Sequence, residues 1–407
     1  MRKLKWPGAF PGAPWLDQRE EKAVLGVLRR RALFRYYGMR RPRCAGALEA
    51  AARKYYGADH ALAVNSGTGA LCTAVTALGI GPGDEVIVPA FLWVSTVAAV
   101  VQANAIPVLA EVNDSLCLDP GDLERKITPR TRLIIPVHMA GAPCEMDAIM
   151  DVAGRHAVPV LEDSAQCNGG SFRGRKVGTF GLIGMFSLQY NKNATAGEGG
   201  LLITQDAALY ERMVAAHDVG IPWVGSGPRE TSPQSVTWGA GRRMNELTAA
   251  VACVQLRKLD RIVRAMRASK RRIKSALEGV PGLAFRRLND PPGDTGASLI
   301  LFLKDAAAAR KLTDGLRAGG LSATRLPGYG MHVYYNIPQL VRRAPLSGAG
   351  NPWSLPQNAG LAREYAKGAC PASDALFERA VLVPVPSRLT RRQETAAAEL
   401  IRAVAGS

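Results

Sequence analysis

Between residues 61 and 205 the chain carries seven short runs that are apolar nearly throughout: ALAVNS, DEVIVPA, IPVLAEV, RLIIPVH, VPVLED, GMFSL and LLIT. A strand with one wet face alternates apolar and polar residues. A run that does not alternate is buried on both faces, as in a sheet covered by helices on its two sides. Segments of helical character lie between the runs, at 68–79 and 145–156. Strand and helix in turn predict an α/β layout with a mainly parallel mixed sheet. In such sheets ligands bind beyond the carboxyl ends of the strands.

The rest of the chain reads as an appendage to this unit. A long basic helix is expected at 246–278, with Leu259, Ile262, Val263 and Met266 on one face and its arginines and lysines on the solvated one. Beyond it lie the strand SLILFLKD, an alanine-rich helix near 305–318, and the loop-rich stretch 327–361, read as irregular, surface-lying and facing a substrate. The amphipathic segment LTRRQETAAAELIRAVAG ends the chain, with Thr390 placed as its cap. The expected division is 1–255 for a large domain with the N-terminal segment, and 256–407 for a smaller C-terminal α+β domain including the connector helix.

Composition narrows the function. Hydrophobic residues make up 47% and charged residues 21%, as in soluble globular proteins. No apolar run is long enough to span a membrane. The basic start MRKLKWPGAFPGAPW has no apolar stretch behind it, so no signal peptide is read and a cytoplasmic location is expected. Seven cysteines and five histidines are scattered without CxxC or Cys/His spacing, so no metal site is expected. The net charge of +18 raises nucleic-acid binding. Zinc-finger spacing and RNP-type aromatics are absent, however; attraction of an anionic small substrate explains the charge better than nucleic acid does, and a solvated Arg-rich surface explains it more simply than either.

Four motifs sit at strand ends. In VNSGTGAL a strand ends at Asn65 and a helix begins near Thr68; Gly67 and Gly69 allow a tight turn, and free amides there favour a phosphate. An ordinary αβ turn looks the same. In VPAFLWVST, Trp93 follows a strand and either packs in the core or stacks on a flat ring. In VPVLEDSAQ, Asp163 ends an apolar strand, where a carboxylate needs a cation, a metal or N–H donors, or serves as a helix cap. Its neighbour Glu162 points to the other side and forms no acid–base pair with it. In FSLQYNKNATAGEGG, Lys192 stands five residues beyond Ser187. Burial would lower its pKa and make it nucleophilic toward an aldehyde, unless Glu198 or Asp163 pairs with it. Together a phosphate cradle, a stacking ring, a carboxylate for a ring nitrogen and an amine for an aldehyde describe one ligand, pyridoxal 5′-phosphate.

The string VNSGTGAL…GPGDEVIVPAFLWVST…LEDSAQ…FSLQYNKNATAGEGG…RMNELTAAVACVQLRKLD resembles the DegT/DnrJ/StrS sugar-aminotransferase family, from about residue 20 to the C-terminal helix. The resemblance implies a fold-type-I pyridoxal-phosphate enzyme and a homodimer with sites at the subunit interface. It implies Lys192 as the Schiff-base lysine, Asp163 as partner of the pyridine nitrogen, and Gln166 near the cofactor's 3-oxygen. Trp93 is implied as the stacked aromatic, and Thr68, Gly69 and Ser187 as phosphate binders. Glu198, Gly199 and Gly200 match a GEGG signature read as structural. Lys192 sets the chain apart from the branch with histidine there, whose members are dehydratases. One departure stands out. The family's GxNYRM is GAGRRM here, so Gly241 replaces the Asn that reaches the neighbouring subunit's phosphate, and Arg242 replaces the Tyr. Arg242 either supplies a charge-assisted contact instead, or the contact is lost.

The stretches LFRYYG, MHVYYN and CPASDALFERAVLVPV are similar to a subgroup acting on keto-cyclitols and related small polar ketones. Tyr37, His332, Tyr334 and Tyr335 are its candidate substrate contacts, each equally open to a packing role. The expected reaction moves an amino group from L-glutamine or L-glutamate to a keto-sugar or keto-cyclitol through Lys192. The alternatives are another reaction on the same fold, such as elimination or condensation, or a non-catalytic cofactor-binding regulator.

Overall fold

The computed structural model describes residues 3–224, 227–361 and 363–406. The seven apolar runs form seven strands: β1 (His60–Val64), β2 (Glu85–Pro89), β3 (Ile106–Ala110), β4 (Thr131–Ile134), β5 (Leu161–Asp163), β6 (Ile183–Ser187) and β7 (Gly200–Thr204). Two ladders, β3-β2-β4 and β5-β6-β7-β1, are joined by the parallel bridges Ile134–Val160 and Val137–Asp163. Only β7 runs against its neighbours; the other pairings are parallel.

The absence of alternation has a direct cause. Ala61 and Ala63 of β1, and Leu201 and Ile203 of β7, face a core shared with α2 (Cys44–Tyr56) and α8 (Glu246–Leu277). Leu62, Val64 and Leu202 face the opposite core, under α3 (Gly67–Ala77) and α4 (Val94–Gln102). Both faces are dry, so neither tolerates a polar residue without partners. Glu162 of β5 is the instructive exception. Its Oε1 accepts from the amides of Phe180 (2.6 Å) and Gly181 (2.7 Å), and its Oε2 from Gly178 N–H (2.7 Å) and His138 Nε2 (3.0 Å). His138 Nδ1 in turn accepts Cys144 N–H at 2.9 Å, which places the ring proton on Nε2. Glu162 is thus a saturated internal tie, facing away from Asp163.

The smaller sheet is antiparallel, in the order β8 (Ala284–Phe285), β9 (Ser298–Phe302), β11 (Ala380–Pro384), β10 (Thr324–Arg325). One face, with Leu299 and Leu301, packs on α9 (Ala306–Ala318) and on the C-terminal helix Arg391–Ala405, whose cap is Thr390 as expected. The other face, with Ile300, Phe302 and Leu382, joins the main core.

The cores do not divide the chain at 255/256. Helix α8 packs in the large-domain core as far as Met266 and reaches the small core with Ile273 and Leu277. Leu4 and Trp6 from the opposite end of the sequence also pack on the small core. The stretch 327–361 is not wholly a surface loop, because Val333, Tyr334, Ile337 and Leu340 are buried in the main core.

Candidate active site

The four motifs converge on a cavity of ≈ 400 Å³ beyond the strand ends, lined among others by Ser66, Thr68, Trp93, Asp163, Gln166, Ser187, Lys192, Glu198 and His332. Two helices start on it. Ser66 caps α3, its Oγ accepting Gly69 N–H at 2.9 Å. Trp93 occupies the cap position of α4 without a side-chain cap bond. Thr68 Oγ1 and Ser95 Oγ, 2.7 Å apart, link the two helix starts. The helix dipoles and open first-turn amides favour an anion here.

Asp163 lies across the cavity. Its Oδ2 accepts from Thr96 Oγ1 at 2.8 Å and its Oδ1 from Ala165 N–H at 3.1 Å. Burial pushes its pKa up, against the pull of those two hydrogen bonds and of Lys192. Lys192 stands on the loop between β6 and β7. Burial lowers its pKa, although Asp163 and Glu198 pull it upward. Its ammonium forms neither a hydrogen bond nor an ion pair among the described residues, so the paired reading is not what the fold adopts. Gly200 matters for backbone approach: a Cβ there would meet Ser66 O at 2.4 Å, so only glycine lets β7 pass the start of α3.

Gln166 Oε1 accepts Ala140 N–H at 3.2 Å, which fixes the side chain at the cavity wall. His332 packs against Trp93 (centroids 4.7 Å) and stacks on Tyr329 (4.2 Å). Its Nδ1 donates to Tyr329 O at 3.0 Å, leaving Nε2 as an acceptor. Burial, helped by the Lys192 charge, holds its pKa down at about 4, so the ring is neutral near pH 7.

Several expected contacts lie elsewhere. Tyr334 is fully buried and its hydroxyl donates to Asp374 at 3.0 Å while accepting from Gly368 and Cys370 amides. Tyr335 packs on Tyr334 and Phe377. Tyr334 is a core residue and Tyr335 is half-buried against that core; neither lines the cavity. Tyr37 is 62% exposed, against Phe34 and Trp223, and does not line its own chain's cavity. Gly69 also falls outside the lining. Its amide is taken by Ser66, and a Cβ there would meet only side-chain atoms, the end of the exposed Asn65 nearest at 2.4 Å. Arg242 lies beside it, with Cδ 3.5 Å from that same Cβ position, and its guanidinium has no partner among the described residues. Gly241 has φ +63°, a left-handed conformation that both Gly and Asn tolerate, so the substitution keeps the backbone and removes the side chain. The sequence reading missed Ser66, Ser95 and Thr96. Ser66 carried a usable signal, a cap-type residue directly before a helix.

The arrangement joins an unpaired amine, a buried carboxylate, an aromatic ring and an anion-favouring pair of helix ends. Known proteins resemble the chain in sequence and in fold. The chain is 37% identical over 297 residues to the L-glutamine:2-deoxy-scyllo-inosose aminotransferase of Micromonospora echinospora, covering 71% of this chain and 68% of that protein. It is 35% identical over 357 residues to the enzyme of the same name from Streptomyces kanamyceticus, covering 84% and 77%. The crystal structure of 3-amino-5-hydroxybenzoic acid synthase superposes with a TM-score of 0.81 at 26% identity, over 100% of both chains. The fold is that of the fold-type-I aminotransferases. With the model of the DegT/DnrJ/EryC1/StrS aminotransferase family matching residues 18–402, the chain belongs to that family.

Proposed function

We propose that this aminotransferase uses pyridoxal 5′-phosphate to move an amino group from L-glutamine or L-glutamate onto a neutral keto-cyclitol or keto-sugar. The observation that carries the reading is Lys192: an amine of lowered basicity, without a hydrogen-bond or ion-pair partner among the described residues, in a cavity that also holds a buried carboxylate. The residues fit the cofactor group by group. The starts of α3 and α4, with Ser66, Thr68, Ser95 and Ser187, would hold the phosphate. Trp93 would cover the ring, Gln166 would face its 3-oxygen, and Asp163 would hold its nitrogen. When bound, the cofactor supplies an electron sink for the carbon that loses a proton.

The chain's residues do the rest. Asp163, fixed by Thr96 and Ala165, keeps a negative charge against the ring nitrogen. Lys192 takes the proton from the donor's α-carbon and returns it on the way to product, a task suited to an amine whose pKa has been lowered. A second chamber of ≈ 320 Å³ adjoins the first across Lys192, Gln166 and His332, and among the described residues Lys192 is the only charged side chain lining it. A neutral polyol ketone such as 2-deoxy-scyllo-inosose, the ketone in the relatives' names, suits that lining. A homodimer completes the reading. Tyr37 and Trp238, 62% and 92% exposed, with Val219 and Val236, are apolar side chains that a second copy would cover.

The test is an absorbance spectrum with pyridoxal 5′-phosphate, before and after L-glutamine or L-glutamate. A visible band that bleaches with a donor supports transamination. A band that never responds favours elimination, condensation or a regulatory role. Arg242 has its own test. Arg242→Ala is expected to weaken cofactor binding by about 10-fold, the scale of one lost charge-assisted hydrogen bond. Unchanged affinity in a fluorescence titration would mean that no contact replaces the missing Asn.

A further inference from the structure

We infer that the N-terminal strap, residues Ala9–Gly12, is a specificity wall that confines whatever occupies the second chamber to one small, unsubstituted molecule. The inference rests on the aminotransferase reading above. Ala9, Phe10 and Pro11 line that chamber, opposite Leu382 of the small sheet. Its ≈ 320 Å³ lies at the lower end of the roughly 300–1,000 Å³ typical of small-molecule sites.

The strap is anchored upstream by Trp6, whose Nε1 donates to Pro384 O at 3.2 Å, and downstream by the single Pro11–Gly12 peptide, which is bonded on both of its sides. Toward the large domain, Gly12 N–H donates to Lys192 O at 3.0 Å, on the loop that carries the amine. A Cβ on Gly12 would sit 3.0 Å from Lys192 O and Thr195 N and 3.1 Å from Asn193 O, so the strap lies as close to that loop as backbone allows. Toward the small domain, Ser387 Oγ donates to Pro11 O at 2.6 Å, and Trp15 Nε1 donates to Ser387 Oγ at 2.9 Å. A segment tied on both sides cannot swing aside to admit a bulky group without breaking buried hydrogen bonds. Phe10 reaches over the lysine loop to Tyr190, with ring centroids 5.0 Å apart. These rings are 41% and 46% exposed, which places them at the rim. Phe10 is therefore the residue whose removal widens the opening at least cost to the fold.

The test uses the donor half-reaction, because donor and ketone take turns in the same chamber. The probes are L-glutamine and N5-benzyl-L-glutamine, or L-glutamate and its γ-benzyl ester if glutamate is the active donor. Cofactor bleaching is followed by stopped-flow absorbance in wild type, Phe10→Ala and Gly12→Ala, with melting curves to establish that each is folded. Wild type is expected to use the benzyl compound at least ten-fold more slowly than the parent. Phe10→Ala is expected to shrink that ratio at least ten-fold. Gly12→Ala, which pushes the strap off the lysine loop, is expected to shrink it in the same direction. A wild type that uses both compounds equally, or a Phe10→Ala ratio within two-fold of wild type, overturns the inference. If no unsubstituted donor bleaches wild type, the aminotransferase reading itself has failed, and this inference falls with it.

Discussion

Lys192→Ala is expected to lower kcat by about 10²–10⁴-fold, the range attributed to a positioned general acid–base group. The loss has two separable parts. The variant can no longer hold the cofactor covalently, which removes the corresponding visible band. It also has no group to carry the α-proton, and that part should be partly restored by a small exogenous amine. Lys192→Arg separates charge from basicity, since a guanidinium stays protonated and cannot accept the proton; it should be as inactive as the alanine variant. The stability sign is also defined. Burial lowers the folded pKa below the ordinary 10.5, so the desolvated charge is a cost at neutral pH that fades as pH rises toward that value. Lys192→Met should therefore melt higher than wild type at pH 7 in the cofactor-free protein. Activity surviving in Lys192→Ala to within ten-fold would sink the assignment.

Asp163→Asn is expected to cost about 10²–10³-fold in kcat, the scale of losing one preorganised electrostatic contact at a reacting centre. Asparagine keeps the shape but cannot hold a positive charge on the ring nitrogen. The cofactor-free protein offers a second readout. Burial raises the Asp163 pKa above its ordinary 3.8, so the folded state holds the proton more tightly than the unfolded chain does. Stability then falls as pH climbs from about that value through the raised one, the reverse of a salt-bridged carboxylate. Asn at 163 should flatten this part of the stability–pH curve. Cofactor should restore stability above that window in wild type and do so less in the variant. Urea midpoints at several pH values, with and without cofactor, measure both. A variant with wild-type kcat and an unchanged curve would remove Asp163 from the site.

What could be read from sequence follows from what is local. The strands were legible because both of their faces are buried, which leaves a pattern in the residues themselves. Asp163 and Lys192 were legible because polar groups at the ends of apolar runs need a reason. Tyr334 was not. A tyrosine among glycines, prolines and asparagines reads the same whether it faces a substrate or the core, and its burial depends on Gly368, Cys370 and Asp374, far along the chain. Thr96 and Ser95 are ordinary small residues in a helix until the sheet brings Asp163 and Thr68 to them. That the Gly69 amide is taken by the Ser66 hydroxyl is a bond visible only in three dimensions.

Helix α8 has a mechanical consequence. Its 32 residues run unbroken from the core beside α2 to the small core, a span of roughly 48 Å at 1.5 Å per residue. Near its far end the buried Lys270 ammonium donates to Asp294 at 2.6 Å, and buried Arg286 crosses from the small sheet to Met139 O at 2.9 Å. The helix acts as a shared axle with no joint along it. Neither half can open fully while the other holds its part of the same rod, so the protein is expected to melt in one calorimetric transition. Amides near the middle of α8 should exchange with solvent only through that global event.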